Sequence, residues 1–302
     1  MTQMMGSVLD RGGRLQPALR AMDTPRIAIF DSGVGGLTVA RAVHARLPGA
    51  NIRYLGDTAR LPYGTKSAKT VSRYALQAAA ALLADGARVD ALVVACNTAS
   101  SCALPALKER YDFPVLGVIG PGARRAVAAS HSGHIGVIGT DRTVQSGAYQ
   151  QAISALSPDA VVHARATPLL VGLAEEGWFD GPVAEAALRA YLGPWLIDEA
   201  VARIDTVVLG CTHYPALKTV IGQVFAELLG REVTLVDSAD AIAEELAVRM
   251  PEATHAEQHL PPVTGARMGQ VELLATDALA RFERVGGLFF PVDRAHLALI
   301  DL

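Results

Sequence analysis

Two cysteines of this chain stand in the same local context, and their side chains could do acid–base chemistry. Cys96 occurs in ACNTAS and Cys211 in GCTHYP, and each follows an apolar run and precedes polar residues. A free thiol has a pKa of about 8.5, so holding it as thiolate at neutral pH costs about 2 kcal/mol, which a helix start or a nearby cation can offset. A cysteine taken alone is more often a small buried hydrophobe, and Cys102 fits that packing role.

The segments that carry the two cysteines resemble each other. Ala91–Thr98 reads ALVVACNT, Thr206–His213 reads TVVLGCTH, and the letters PALK follow each of them shortly afterwards. In two similar halves that face each other, equivalent strand ends lie on opposite walls of one cleft. This arrangement would place one thiol on each wall, whereas chance similarity between apolar strands would carry no such meaning.

Two other interpretations use the same residues. A zinc site built from Cys96, Cys211 and His213 has suitable ligand types, but C-x-H is not a usual zinc spacing and no second Cys/His pair supports it. A cysteine hydrolase with Cys211 as nucleophile and His213 as base leaves Cys96 without a role. Three cysteines cannot form a disulfide framework, so we expect free thiols and no metal.

The glycine-rich segment DSGVGG, at Asp31–Gly36, follows a predicted strand and opens a predicted helix. The third glycine of a dinucleotide fingerprint is missing, a Walker lysine is absent, and Asp57 alone is weak support for a ribose contact. Backbone amides at a helix start can instead hold a carboxylate, which is the interpretation we favour. A purely structural glycine turn is the alternative.

Short apolar runs alternate with amphipathic segments, which predicts an α/β fold with mainly parallel sheets. Helices are predicted to include Thr38–Leu47, Ala68–Ala84 and Val183–Ile197. The predicted strands are Arg26–Phe30, Asn51–Leu55, Leu92–Ala95, Val115–Ile119, His134–Ile138, Ala160–His163, Thr206–Gly210, Val233–Val236 and Val271–Ala275.

These elements predict two similar three-layer α/β domains with the active site in the cleft between them. The first domain is expected at residues 26–119 plus 231–302, and the second at residues 120–230. Only one convincing strand, Val271–Ala275, follows the strand at Val233, which is too little for a further domain. Residues 1–25 are predicted to be a polar leader, a kind of segment that can be disordered.

Composition limits the classes of partner. The 302 residues carry a net charge of −3, and no Lys/Arg run is longer than a pair, so the sequence offers no surface for direct nucleic-acid binding. No apolar stretch approaches the roughly 20 residues of a membrane span. The leader also lacks the apolar core of a signal peptide, so we expect a cytoplasmic protein without membrane contact.

Five segments follow one another between Ile27 and Asp277: DSGVGGLTV (Asp31–Val39), GDTARLPYG (Gly56–Gly64), ACNTAS (Ala95–Ser100), GTDRTVQSGAY (Gly139–Tyr149) and LGCTHYP (Leu209–Pro215). In combination they resemble the glutamate racemase family, within the wider aspartate/glutamate racemase group. His213 is similar to the residue of glutamate racemases, whereas the aspartate racemase relatives typically carry an acid there.

The resemblance implies an isomerase that interconverts L- and D-glutamate without any cofactor. One cysteine takes the α-proton as thiolate and the other delivers a proton to the opposite face, because inversion needs one base on each face. It implies that Cys96, assisted by Asp31, works on D-glutamate, and that Cys211, assisted by His213, works on L-glutamate. The substrate contacts that it implies are Asp31, Ser32, Pro62, Tyr63, Gly64, Asn97, Thr98, Thr140, Thr143, Thr212 and His213.

Glu175, in PLLVGLAEEG, matches a family carboxylate near the second cysteine and is predicted to be catalytic. This segment departs from the family pattern at Thr167, where a Cys is common, and at Gly172, where a Pro is common. Neighbouring Glu176 and an exposed helix-start acid are therefore the alternatives. The tail at residues 286–302 does not resemble the family's ending.

The resemblance also implies a role in supplying D-glutamate for peptidoglycan precursors, and so in cell-wall biogenesis and cell shape. We expect a homodimer whose small-molecule partner is glutamate, and a contact with DNA gyrase only by family analogy. A protein that merely binds gyrase and a sister racemase for aspartate or another acidic amino acid are the alternatives.

Overall fold

The computed structural model describes residues 24–84, 86, 88–250 and 268–302. Except for Thr24 and Pro25, the predicted leader lies outside the described residues. The apolar runs near both ends of the chain form a six-stranded sheet in which every strand pair is parallel. Its strands are β1 (Arg26–Asp31), β2 (Asn51–Gly56), β3 (Ala91–Val94), β4 (Val115–Gly117), β9 (Val271–Ala275) and β10 (Leu297–Leu299), in the order β10-β9-β2-β1-β3-β4.

The apolar runs in the middle of the chain form a second parallel sheet. Its strands are β5 (His134–Gly139), β6 (Val161–Ala166), β7 (Thr206–Gly210) and β8 (Thr234–Asp237), in the order β6-β5-β7-β8. Strands β3 and β7, which precede Cys96 and Cys211, are buried along their whole length. Such continuous apolar strands are typical of parallel sheets that are covered by helices on both faces.

Helices connect consecutive strands, as parallel pairing requires. In helix α2, for example, Ser67 caps the first turn, and Val71, Ala75 and Leu82 recur at helical spacing on the buried face. The helices are α1 (Leu37–Arg46), α2 (Ala68–Leu82), α3 (Asn97–Arg110), α4 (Ile119–Ala129), α5 (Asp141–Gln145), α6 (Ala148–Leu156), α7 (Leu169–Glu175), α8 (Gly181–Leu196), α9 (Lys218–Leu229), α10 (Ser238–Arg249) and α11 (Leu279–Gly286).

The predicted fold class is confirmed, since two parallel α/β sheets carry the helices. One strand differs from the predicted division of the chain: β8 pairs with β7 in the second sheet, although the boundary at residue 231 assigned it to the first domain. Pairing in register from Thr206↔Thr234 to Leu209↔Asp237 is the physical reason. The division into two folding domains stays a prediction.

The tail contains structure that the sequence did not predict. Strand β10 extends the first sheet beside β9, and Phe289, which follows α11, is 2% exposed. No helix among the described residues is long and apolar enough to cross a membrane.

Asp205 holds the loop before β5 against the start of β7. Its carboxylate accepts hydrogen bonds from the Ser130 hydroxyl at 2.7 Å and from the His131 and Ser132 amides at 2.8 and 2.6 Å. Burial would raise the pKa of this carboxyl, but the hydrogen bonds from Ser130 and from the Ser132 and His131 amides lower it to about 2.

We expect Asp205→Asn to lower the free energy of unfolding by about 1–2 kcal/mol at pH 7, because the variant loses charge-assisted hydrogen bonds. The ionised carboxylate stabilises the fold above its ordinary pKa of 3.8, and this contribution is lost as the pH falls through about 2. Urea unfolding of both proteins from pH 7 to pH 3 measures the difference in their free energies of unfolding. This difference should stay constant down to about pH 4 and become smaller at lower pH. A difference that stays the same to pH 3 would contradict a charge-based origin.

Candidate active site

A cavity of about 260 Å³ opens where strands of both sheets end, and it contains most of the predicted site residues. Strand β3 of the first sheet leads to Cys96, and β7 of the second sheet leads to Cys211. The predicted residues that line it are Ser32, Pro62, Tyr63, Gly64, Cys96, Asn97, Thr98, Thr140, Glu175, Cys211, Thr212 and His213. A wider groove of about 640 Å³ between α4 and α10 contains none of them.

Two predicted residues do not line the cavity. Asp31 is fully buried behind it, and Thr143 is buried behind Thr98 and Thr140, whose hydroxyls lie 3.2 and 3.1 Å from its own. Sequence reasoning missed several wall residues that carry no acid–base or charged signal, or that only the fold brings into place. These are Leu61, Thr65, Asp141, Pro168, Val171, Gly172 and Gly210, whereas Gly33 belongs to the predicted glycine-rich loop.

Cys96 caps the start of α3, so its sulfur faces free backbone amides. The Ala99 amide donates to Sγ at 3.4 Å, and the thiol lies 3.5 Å from the Ser32 hydroxyl. Burial and the negative charge of Asp31 raise the pKa of Cys96 to about 12, against the hydrogen bonds that its sulfur makes with the Ser32 hydroxyl and the Ala99 amide. In this state of the protein Cys96 therefore holds its proton.

Asp31 ends β1 directly behind the cavity. The Gly33 amide donates to Oδ2 at 2.9 Å, whereas Oδ1 has no hydrogen-bond partner among the described residues. Burial raises the pKa of this carboxyl, opposed by the positive charge of His213 and by the backbone amides of Gly33, Gly36 and Ser32. Asp31 thus acts on the cavity through its field rather than through an exposed atom.

Cys211 has a charged neighbour instead. Its Sγ lies 3.7 Å from Nδ1 of His213, and Nε2 of that ring lies 3.1 Å from Oε1 of Glu175. Burial alone would lower the pKa of His213, but the hydrogen bonds to Cys211 and Glu175, together with their negative charges, raise it to about 10. The imidazole is therefore a cation at neutral pH, placed beside the Cys211 sulfur.

Glu175, rather than Glu176, reaches the cavity from the end of α7. Its side chain is 15% exposed, and Oε2 accepts a hydrogen bond from Arg281 at 2.6 Å. Burial would raise the pKa of this carboxyl, but hydrogen bonds and charges from His213 and Arg281 lower it. Arg281, in α11, has no signal in the sequence that could have linked it to Glu175.

The glycine-rich loop at Asp31–Gly36 packs directly against the Cys211 segment. A Cβ atom on Gly35 would lie 2.5 Å from Nδ1 of His213 and 2.5 Å from the Thr212 hydroxyl oxygen. The Thr38 hydroxyl, in the helix that the loop opens, donates to the Thr212 carbonyl at 2.8 Å. The glycine is needed here for close approach, and the carboxylate-binding role of this loop stays a prediction.

Polar side chains on the cavity wall have fixed orientations. The Tyr149 hydroxyl donates to Oδ1 of Asn97 at 2.7 Å, which leaves Nδ2 without a partner among the described residues. The hydroxyls of Thr98 in α3 and of Thr140 at the start of α5 lie 3.0 Å apart. The Tyr63 hydroxyl donates to buried Asp57 at 2.5 Å, so Asp57 holds a wall residue instead of facing a ribose.

Comparison with known proteins defines the class of enzyme first. The family model for Asp/Glu/Hydantoin racemase matches residues 37–246. The chain therefore belongs to the Asp/Glu/Hydantoin racemase family and is an enzyme of the isomerase class, which confirms the resemblance inferred from the sequence.

Glutamate racemases are among the similar proteins. The glutamate racemase of Geobacter metallireducens is 49% identical over 263 residues, which are 87% of this chain and 92% of the relative. A crystal structure of glutamate racemase from Bacillus anthracis has a TM-score of 0.79 at 35% identity, covering 92% of this chain and 98% of that one. The enzyme from Francisella tularensis in complex with D-glutamate has a TM-score of 0.78 at 32% identity, with 93% and 98% coverage.

Proposed function

We propose that this protein racemises glutamate by a two-base mechanism in which Cys96 and Cys211 are the bases. The observation that carries the proposal is that one cavity receives one thiol from each sheet, and that the two thiols have opposite electrostatic surroundings. The similarity to glutamate racemases, one of them bound to D-glutamate, supports glutamate as the substrate.

The proposal gives the two thiols different roles at the start of the reaction. We assign the starting base to Cys211, whose sulfur lies 3.7 Å from the His213 ring, whereas burial and the charge of Asp31 raise the pKa of Cys96. Cys211 removes the α-proton of L-glutamate, and the electron pair stays on the α-carbon. The Cys96 thiol then gives its proton to the opposite face, which yields D-glutamate, a Cys96 thiolate and a Cys211 thiol.

The reverse reaction starts from the other protonation state. Asp31 opposes a Cys96 thiolate, so the state left after D-glutamate forms is higher in energy and readily takes up a proton again. The two thiols exchange roles in every turnover, and their titrations are therefore properties of the pair.

Substrate binding would use the polar wall. The unpartnered Nδ2 of Asn97 is a donor of fixed direction and suits a substrate carboxylate. The hydroxyls of Ser32, Thr98, Thr140 and Thr212 line the same cavity. Tyr63 and Gly64 complete the wall beside Pro62, which follows a cis peptide bond.

Several parts of the function stay predictions. Supply of D-glutamate for peptidoglycan synthesis, with its consequences for the cell wall and cell shape, follows from the proposed reaction. We also propose a cytoplasmic location, a homodimer, a contact with gyrase and activity without a cofactor.

Exchange of the α-proton tests the proposal directly. Incubation of L- or D-glutamate with the protein in deuterated water, without added cofactor, should abolish optical rotation and place deuterium at the α-carbon. Mass spectrometry and polarimetry measure the two changes. Absence of exchange by folded protein would refute the proposal, and faster exchange on aspartate than on glutamate would assign the enzyme to the sister racemases.

A further inference from the structure

A chain of four side chains runs from the surface to the Cys211 sulfur. Nη2 of Arg281 donates to Oε2 of Glu175 at 2.6 Å, and Oε1 of the same carboxylate lies 3.1 Å from Nε2 of His213. Nδ1 of that ring lies 3.7 Å from Sγ of Cys211. Glu175 and His213 each use one atom for the preceding member and a different atom for the next. Rotation of Glu175 away from Arg281 would therefore also break its contact with His213.

The C-terminal segment provides the outer end of this chain on a rigid support. Phe282 and Val285 bury one face of α11, and Phe289, just beyond the helix, packs edge-on against the His213 ring with centroids 5.6 Å apart. Arg281 itself does not line the cavity, and its side chain is 52% exposed. Within the part of the chain that the structure describes, its link to the cavity is the hydrogen bond to Glu175.

We propose that Arg281 is a positioning residue for the Cys211 half of the reaction, which holds Glu175 so that His213 stays directed at Cys211. The inference rests on the proposed function for its kinetic consequences, although the positioning itself is a property of the free protein. Cys96 has no equivalent support among the described residues, where its neighbours are Ser32, the Ala99 amide and buried Asp31.

Charge reinforces the geometry. His213 is faced by Cys211, by Glu175 from α7 and by Asp31 from the end of β1, and Glu175 is faced by His213 and Arg281. The guanidinium lowers the pKa of Glu175. Removal of this cation should raise the pH at which Glu175 takes up a proton and releases His213, so the acid limb of the activity profile should move to higher pH.

A racemase cannot show a one-sided defect in kcat/KM. The equilibrium constant between two enantiomers is one, so kcat/KM must fall equally for L- and D-glutamate in any variant. The asymmetry must therefore show in the primary isotope effects. If transfer at Cys211 becomes slower, the effect on kcat/KM should rise for α-deuterated L-glutamate, whose deuteron Cys211 removes. It should fall for α-deuterated D-glutamate.

The experiment compares Arg281→Gln, Arg281→Lys and the control Arg294→Gln in the full chain. Arg294 is a matched control because its side chain is also about half exposed. It forms an ion pair of 2.8 Å with Glu283 of α11, and neither residue lines the cavity. We expect Arg281→Gln to lower kcat/KM about tenfold, since a general base loses part of its alignment. Arg281→Lys should recover much of this loss, and Arg294→Gln should stay within about twofold of the parent, as exposed ion pairs contribute little to stability.

The isotope effects and the pH profile separate positioning from a structural role. The inference predicts the opposite changes for the two enantiomers and an acid limb at higher pH in Arg281→Gln. Activity within twofold of the parent would overturn it, as would a loss of kcat/KM without redistribution of the isotope effects.

A readout without turnover keeps the inference separate from the proposed function. The His213 imidazole can be followed by NMR of histidine-labelled protein. Its signal is assigned as the one that is missing from the spectrum of His213→Asn. Arg281→Gln should lower the pH at which His213 titrates, and Arg294→Gln should not. If the parent fails to exchange the α-proton of glutamate, the proposed function fails, and the inference is decided by this titration alone. An unchanged titration would overturn the inference.

Discussion

Replacement of either Cys96 or Cys211 with serine is expected to lower racemisation by at least about a thousandfold, because each variant lacks one of the two groups that move the proton. Serine keeps the size of the side chain but hardly ionises near neutral pH, so the fold should be preserved while the base is lost. The loss is to be measured by polarimetry, with both variants checked for folding by thermal unfolding.

The two variants should differ in the exchange that they retain. Cys96→Ser keeps Cys211 beside His213 and should place deuterium into L-glutamate without inverting it. Cys211→Ser keeps the other base and should label D-glutamate. Cys102→Ser is the matched control, because that thiol lies 3.4 Å from the Ser101 hydroxyl, inside α3 and away from the cavity wall. Near-normal racemisation by either active-site variant, or labelling of both enantiomers, would refute the two-thiol mechanism.

Gly35→Ala is expected to lower kcat/KM about a hundredfold through a single added methyl group. The new Cβ would lie 2.5 Å from His213 Nδ1 and from the Thr212 hydroxyl oxygen, so these groups must move. The ring cannot rotate freely, because Glu175 holds Nε2 and Phe289 packs against the ring in a T-shaped arrangement. We therefore expect the added methyl group to change the distance between Nδ1 of His213 and the Cys211 sulfur.

A control distinguishes this clash from a general intolerance of added volume. Gly222→Ala places a methyl group 3.5 Å from the Leu235 side chain, an ordinary contact distance, in the helix that follows the Cys211 segment. It should leave kcat/KM within about twofold of the parent, whereas Gly35→Ala should also lose about 1–3 kcal/mol of folding stability from overpacking. Full activity of Gly35→Ala would show that the loop can yield, contrary to the close approach described above.

Much of the fold could be predicted, because its signals are local. The strands before Cys96 and Cys211 are continuous apolar runs that end in polar residues, and the structure places both of them in parallel sheets. Strand β10 was missed since it has three residues and only Leu297 is buried. The pairing of β8 was also missed, because an apolar run does not indicate which of two sheets it will join.

The site also contains residues that local sequence patterns indicate and residues that only the fold brings into place. Sequence motifs indicated the cysteines and the residues next to them, since their types are those that chemistry requires. Thr143 and Asp31 are buried behind the cavity wall, and this depends on how the helices and sheets pack together. A local sequence pattern does not indicate that packing. Arg281 lies 106 residues from Glu175 along the chain, and an exposed arginine on a helix surface is common in any protein. Only the folded structure shows which carboxylate it meets.

The contacts between the loops of the two sheets suggest how such an enzyme could be inhibited. Gly35, from the first sheet, supports His213 beside the base of the second, and Thr98 meets Thr140 across the cavity. The Cys211 side of the site is thus completed by a loop from the opposite half of the molecule. A compound that wedges the halves apart would disable both directions of the reaction at once, and it would need neither the charges nor the chirality of an amino acid.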